Sequence, residues 1–317
     1  MRALLVHELT GPAGVRVGEI DPAPTDGAVR VAVHAAGLGF VDTLLARGRY
    51  QVRPEPPFVP GLEFAGVVEE APPGSALAVG QAVVGHVMGG ACAETVWAEP
   101  HLVAPLPAKL SYEEGAASVV NHHTAIVALE RRARLRAGER LLVHGAGGGL
   151  GSATVQVAAK LGAEVRAVAG SPERRELARS AGATTVYGPD EWVDAVRADG
   201  GADVILDPVG GEVFEQSVRC LAPEGRLLTV GFTSGTIPKA AANRLLLRNA
   251  GVLGAAWREL LSVDPTLFAT TAARFAVLVA GTLRPIIGAT FDLADGARAL
   301  AAIEDRAVAG KVVLRVR

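Results

Sequence analysis

The sequence predicts an α/β fold in two parts, a β-rich stretch followed by a doubly wound parallel sheet. Three observations carry this. Up to about residue 110, short Val/Ala runs are cut by Gly and Pro. A capping pattern, Ser111-Tyr112-Glu113-Glu114, then opens a helical region that extends to about Arg134. From Arg140 onward, strand and helix patterns alternate at the spacing of parallel strands joined by crossover helices.

In the first part, strands are expected at 29–35, 63–69, 81–85 and 93–98. Pro54, Pro56, Pro57 and Pro60 make a rigid loop that cannot be helical. The turn density is that of a partly closed barrel. In the second part a strand at 140–144 leads to a helix at 150–161, a strand at 164–169 and a helix at 172–180. A strand near 184–187, a helix from Asp190, a strand at 203–207 and a helix from Gly211 follow, then strands at 226–230 and 251–255. The tail from Trp257 holds one long helix, 265–280, and a final strand, 311–316; it is expected to pack on the first part.

The bulk composition narrows the function. Half of the 317 residues are hydrophobic and 20% are charged, ample material for a buried core. A net charge of −2 gives no attraction to nucleic acid or an anionic membrane. Two cysteines, Cys92 and Cys220, make neither a disulfide framework nor a four-thiolate zinc site, and are expected to be small buried hydrophobes. The opening apolar run is too short for a signal peptide, and no stretch is long enough to span a bilayer, so a soluble cytoplasmic protein is expected.

The chemistry-bearing motif is His144-Gly145-Ala146-Gly147-Gly148-Gly149-Leu150-Gly151. It follows a predicted strand and opens a predicted helix, where free backbone N–H groups and the helix dipole favour a pyrophosphate. Gly148 would let the backbone approach the phosphates, and Gly151 would let helix and strand pack closely. Ala146, Gly149 and Leu150 complete the cradle. In a NAD site an acidic residue about 20 residues on takes the ribose 2′-hydroxyl. Here the second strand ends Val168-Ala169-Gly170-Ser171-Pro172-Glu173-Arg174-Arg175, with no carboxylate at its tip. Ser171 and the arginines Arg174 and Arg175 suit a 2′-phosphate, which favours NADPH over NADH. The alternative is that the two arginines are a solvated helix face.

These motifs occur together with others. They include Gly37-Leu38-Gly39-Phe40-Val41-Asp42, Arg47-Gly48-Arg49-Tyr50 and Pro57-Phe58-Val59-Pro60-Gly61-Leu62-Glu63-Phe64-Ala65-Gly66. Later in the chain come Asp207-Pro208-Val209-Gly210-Gly211, Gly231-Phe232-Thr233-Ser234-Gly235 and Gly310-Lys311-Val312-Val313-Leu314. Over nearly its whole length the chain resembles the zinc-free quinone oxidoreductases, relatives of zeta-crystallin, within the medium-chain dehydrogenase/reductase superfamily. The resemblance implies a GroES-like catalytic domain at 1–115 and 260–317 and a Rossmann domain at 116–259. It also implies NADPH in the cleft between them, and a homodimer.

The alcohol dehydrogenase branch of that superfamily has Cys where Gly39 stands and His where Leu62 stands, with its third ligand near Val120. None of these three side chains binds metal, so no zinc is expected. His122 and His123 are adjacent on a helix and point apart; one of them is expected to border the substrate. By resemblance, Thr124 contacts the nicotinamide carboxamide, Val209 and Gly231-Phe232-Thr233 line the ring and its ribose, and Lys311 closes the cofactor side of the cleft. Gly39, Phe40, Leu62 and Arg258 are expected near the substrate.

One departure stands out. The family commonly carries Asn at the position of Gly39, a candidate donor to the substrate carbonyl. Tyr50 is then the remaining candidate proton or hydrogen-bond donor, with an amphipathic structural role as the alternative. Asp42 is either a second catalytic group or the organiser of its loop. The leading expectation is metal-free, NADPH-dependent reduction of quinones or α,β-unsaturated carbonyls, which accept hydride because the resulting anion is delocalised. An enoyl-thioester or polyketide tailoring reductase, and an NADPH-binding protein with little turnover, are the alternatives.

Overall fold

The computed structural model describes residues 1–21 and 24–317. The chain divides into two compact units, Met1–Val120 with Asp264–Arg317, and Asn121–Val263.

The first unit begins with β1 (Arg2–Val6), β2 (Val15–Glu19), β3 (Val29–Leu38), α1 (Phe40–Ala46), β4 (Glu63–Glu70), β5 (Ala82–His86), β6 (Thr95–Ala98) and β7 (Val103–Pro105). Helix α2 (Tyr112–Ile126) follows. The capping box at its start is formed: the Glu114 N–H donates to Ser111 Oγ at 3.1 Å and the Ser111 N–H to Glu114 Oε2 at 2.9 Å. A π-helical stretch, Val127–Ala133, continues it until Arg134 adopts a left-handed conformation with φ 51°.

The second unit continues with β8 (Arg140–Val143), α3 (Gly149–Lys160), β9 (Glu164–Val168), α4 (Pro172–Ser180) and β10 (Thr185–Tyr187). Next are α5 (Trp192–Ala198), β11 (Ala202–Asp207), α6 (Gly211–Cys220), β12 (Leu221–Thr229), α7 (Ala242–Leu246), β13 (Gly251–Gly254) and α8 (Trp257–Leu261). The chain then re-enters the first unit with α9 (Leu267–Gly281), β14 (Ile287–Asp292), α10 (Gly296–Glu304) and β15 (Lys311–Arg315).

In the first unit the main sheet has the order β14-β15-β3-β4-β5-β7, with β6 also pairing β3. All its pairs are antiparallel except β14 with β15. The centre of β3 sets the register: Gly37 lies opposite Val313 on one side and Glu63 on the other, and Leu38 opposite Val312. The sheet covers a core that includes Leu4, Val31, Leu38, Phe64, Leu300 and Leu314. A side chain at Gly296 would meet Leu4 at 2.5 Å, so its absence lets α10 close on β1.

In the second unit six parallel strands take the order β10-β9-β8-β11-β12-β13. Numbered within the unit this is 3-2-1-4-5-6, the doubly wound dinucleotide-binding order. Leu142, Ile205, Leu227, Trp192 and Phe214 build its core. The strand order reverses between β8 and β11, and a crevice for a ligand lies outside the carboxyl ends of strands at such a point. No helix among the described residues is long and apolar enough to cross a membrane.

Candidate functional site

Five backbone features make the turn after β8. His144 is tied to the neighbouring strand through its N–H to Leu206 O at 3.1 Å. Gly145 takes φ +61°, the left-handed region that glycine enters without strain. Ala146 donates to Val168 O at 3.1 Å and so binds the turn to β9. Gly148 is the N-cap of α3 and extended, with φ −95°. Gly151 is sterically fixed: a Cβ there would stand 2.1 Å from the Gly145 carbonyl oxygen. At Gly148 the nearest described atom to such a Cβ is the Gly145 carbonyl oxygen at 3.4 Å, so no close clash requires glycine there. Gly149 and Leu150 form the first turn of α3, whose unpaired N–H groups face the turn.

The tip of β9 comes to this turn from the side. Ser171 caps α4, its Oγ accepting the Arg174 N–H at 3.3 Å. Arg174 lies over the turn: its Cβ is 2.4 Å from where a Gly147 Cβ would sit, and its Nη1 donates to Gly147 O at 3.3 Å. Arg175 Nη1 lies 3.9 Å from Glu191 Oε1. The exposed Glu173 carboxyl is held below its usual range, chiefly by the Ser171 hydroxyl. Arg174 therefore lies at the turn, while the Arg175 guanidinium faces Glu191.

On the other side of the reversal, β11 ends in Asp207. Its Oδ1 accepts the N–H of Val209 at 2.7 Å and of Gly210 at 3.1 Å, a side-chain turn that shapes the loop. Burial pushes the Asp207 carboxyl above its ordinary pKa. The following turn is tied to it: Thr233 donates to Pro208 O and Ser234 to Val209 O, each at 3.0 Å. Val209, Gly231, Phe232 and Thr233 are thus held side by side, with Phe232 against Gly210. The sequence places Asp207 in the Asp207-Pro208-Val209-Gly210-Gly211 motif without a role of its own; an aspartate ending an apolar strand before Pro-Val-Gly-Gly is the signal for its part in the turn.

Other expected residues fall as follows. Thr124 is half-buried on α2. His122 is buried with Nε2 3.1 Å from Gln156 Oε1, and His123 is buried edge-on against Trp257. Arg258 pairs with the adjacent Glu259. Tyr50 is half-buried in a bend beyond α1, Phe40 is exposed, and Leu62 is buried with its carbonyl 2.8 Å from His86 Nδ1.

Within the first unit, Gly39, Asp42, Glu63 and Lys311 form a buried polar cluster. Asp42 is 2% exposed. Its Oδ2 accepts the Gly39 N–H at 2.8 Å and its Oδ1 the Gly61 N–H at 3.0 Å, pinning the start of α1 to the loop before β4. Burial is the main cause that pushes its pKa up to about 6, against those two hydrogen bonds and the charge of Lys311. Lys311 forms an ion pair with Glu63 Oε1, and Glu63 Oε2 accepts the Val120 N–H at 2.7 Å.

Strand alternation explains the meeting. Gly37 and Gly39 point to one face of β3, Glu63 faces Gly37 from β4, and Lys311 on β15 lies one step beyond the Val312–Leu38 pair. With no side chain at 37 or 39, the lysine and glutamate touch across the strand between them. A Cβ at Gly37 would stand 2.7 Å from Glu63 Cγ. Lys311, expected to close the cofactor side of a cleft, thus has its ammonium buried in this pair.

The zinc branch's ligand positions do not fit a metal here. Gly39, Leu62 and Val120 offer no donor side chain, and the Lys311 ammonium stands 3.6 Å from the Gly39 Cβ position. Among the described residues no three His, Cys, Asp or Glu side chains converge to hold a metal ion.

Comparison with known proteins agrees with this geometry. Residues 25–130 match the alcohol dehydrogenase GroES-like domain and residues 149–274 the zinc-binding dehydrogenase family. The chain is 36% identical to quinone oxidoreductase-like protein 2 of Bos taurus, over 100% of this chain and 93% of the relative. It is 37% identical to the quinone oxidoreductase of Thermus thermophilus, solved also in complex with NADPH, with TM-score 0.86 and full coverage of both chains. The Escherichia coli quinone oxidoreductase in complex with NADPH is 25% identical, with TM-score 0.91 and full coverage of both chains. A glycine-rich turn in a doubly wound sheet, two matching domain families and full-length relatives of one kind lead to a single assignment: the chain belongs to the quinone oxidoreductase branch of the medium-chain dehydrogenase/reductase superfamily.

Proposed function

We propose that this protein is an NADPH-dependent reductase of quinones or α,β-unsaturated carbonyls that works without a metal ion. The observation that carries the reading is the corner at Gly147, where Arg174 lies directly over the phosphate turn. The turn from Ala146 to Gly151 holds the pyrophosphate through backbone N–H groups, and Ser171, Arg174 and Arg175 hold the 2′-phosphate. Thr124 meets the carboxamide, and Val209, Gly231, Phe232 and Thr233 line the ring and its ribose. When bound, NADPH supplies a hydride, so the acceptor gains two electrons and its oxygen carries negative charge until it takes a proton from water. Gly39, Phe40, Tyr50, Leu62, His122 and Arg258 are the residues assigned to the acceptor. Asp42 holds the backbone at Gly39 and Gly61 in place.

A homodimer and a cytoplasmic location belong to the same reading. The dimer is supported by β13, an edge strand of its sheet, and by Leu246 and Leu247 in the same unit, exposed at 76% and 82%. Light scattering of the wild type and of Leu246→Glu tests it: a wild-type monomer refutes the dimer.

The test of the activity is steady-state oxidation of NADPH and NADH with a panel of quinones, enals, enones and enoyl thioesters. Turnover of quinones or enones with NADPH preferred is expected. Turnover of enoyl thioesters alone, or no turnover of any acceptor, overturns the reading.

A further inference from the structure

The absent side chain at Gly39 leaves a notch with polar walls. Among the described residues, two atoms beyond its chain neighbours lie within 4 Å of the Gly39 Cβ position: Lys311 Nζ at 3.6 Å and Asp42 Oδ2 at 3.9 Å. Gly39 is half-buried, and the next residue, Phe40, is exposed, so the notch lies near the surface of its unit. Its backbone is extended, with φ −136° and ψ 178°, a conformation open to any residue. The glycine is therefore not required by strain, unlike Gly151.

The two walls differ in what they have left to offer. Asp42 Oδ2 already accepts the Gly39 N–H. Glu63 engages the Lys311 ammonium from one side, and an ammonium carries three N–H donors. Glu63 also neutralises the charge, so that a buried lysine is tolerated.

We infer that the notch at Gly39 receives the carbonyl oxygen of the acceptor, with Lys311 Nζ as the hydrogen-bond donor that polarises it. The inference rests on the reductase reading and adds a residue and a substrate group to it. Lys311 is then the electrophile in a site without a Lewis acid, and Glu63 is its positioning residue. An ammonium donor is charge-assisted, so the bond grows as negative charge develops on the oxygen. The notch accepts a bare oxygen: a carbonyl carried on a flat, conjugated acceptor enters, whereas an oxygen flanked by bulky groups does not.

A chromophoric enal, 4-(dimethylamino)cinnamaldehyde, reports carbonyl polarisation directly as a red shift of its absorption. It is to be titrated into the full chain saturated with NADP⁺, where no hydride is present. The wild type should shift the band to longer wavelength. Gly39→Val should abolish the shift and weaken binding by about tenfold or more, the loss of one charge-assisted hydrogen bond. Gly39→Ala, whose added atom makes only ordinary contacts, keeps the test open if the valine variant fails to fold. The Lys311→Met/Glu63→Gln double variant should bind the dye without the shift. An unshifted wild-type band, or an equal shift in the folded Gly39 variants, overturns the proposal. A red shift with no NADPH oxidation would instead refute the reductase reading and leave the notch standing; turnover without a shift would do the reverse.

Discussion

Lys311 and Glu63 pair across the full width of β3, one from the last strand of the chain and the other from β4, over two glycines that stand aside. Both are nearly inaccessible, at 4% and 1% exposure. Removing one partner of such a pair strands the other charge in the interior. Lys311→Met should therefore cost about 3–5 kcal/mol in urea unfolding. Lys311→Met/Glu63→Gln keeps an acceptor for the Val120 N–H and should recover most of that loss. A double variant no more stable than Lys311→Met would show that the pair is not the source.

Gly148 and Gly151 of the phosphate turn should respond differently. Gly151→Ala places a Cβ against the Gly145 carbonyl, backbone that cannot yield without opening the turn. It should lower the thermal midpoint and abolish NADPH binding together. Gly148→Ala meets nothing closer than 3.4 Å and should leave the midpoint unchanged while weakening NADPH in fluorescence titration. Equal affinity in Gly148→Ala and wild type would remove Gly148 from the cradle.

Arg174 gives the dinucleotide preference its test. A charge-assisted bond to a phosphate contributes about 1.5–3 kcal/mol. Arg174→Met should weaken NADPH by roughly tenfold to a hundredfold and change NADH little. Parallel loss for both dinucleotides would mean that the residue serves only the fold of the turn, through its contact with Gly147.

Two buried groups give opposite slopes with pH. Asp42 has its pKa raised from 3.8 to about 6, so the folded state binds its proton more tightly than the unfolded chain does. Its favourable contribution is full below pH 3.8 and lost as pH rises through about 6. His144 is lowered from 6.5 to about 3 by burial, beside Ser217 and Trp192. Its contribution is full above pH 6.5 and lost as pH falls toward 3. Between pH 7 and pH 5, His144→Asn should gain about 2 kcal/mol relative to wild type, and Asp42→Asn should lose about 1 kcal/mol. Denaturant titrations at the two pH values decide both; equal differences at the two pH values would refute the assignment.

Much of the second unit was legible in the sequence because its inner strands β8, β9, β11 and β12 carry buried apolar runs and several of its helices begin with strong signals. Ser171-Pro172 opens α4 where expected, and the Ser111/Glu114 box opens α2. The first unit was less legible. Helix α1 starts at a glycine whose cap is supplied by Asp42, with no Ser or Thr to announce it. Strand β14 is half-exposed along its length and carries no buried run, and β1 and β2 pair outside the main sheet. At the site, Gly39, Asp42 and Lys311 each stood out in sequence. Glu63 did not, although a lone glutamate in the apolar run from Leu62 to Val68 requires a buried cation, and Lys311 before Val312-Val313-Leu314 is the matching one. Spacing along one chain does not give the order β15-β3-β4 that puts them together.

That strand order also sets a schedule. The second unit is contiguous and holds all its own strands, so it can form while the ribosome is still working. The first unit has to wait: β15, wedged between β14 and β3, is the last strand to emerge, and it brings Lys311 with it. Until β15 has been made, Glu63 is a carboxylate without its counter-ion and the sheet has an open seam. The strands that carry the glycine-rich turn are thus all made before the strand that carries Lys311, and a chain lacking β15 would leave Glu63 without its ion pair.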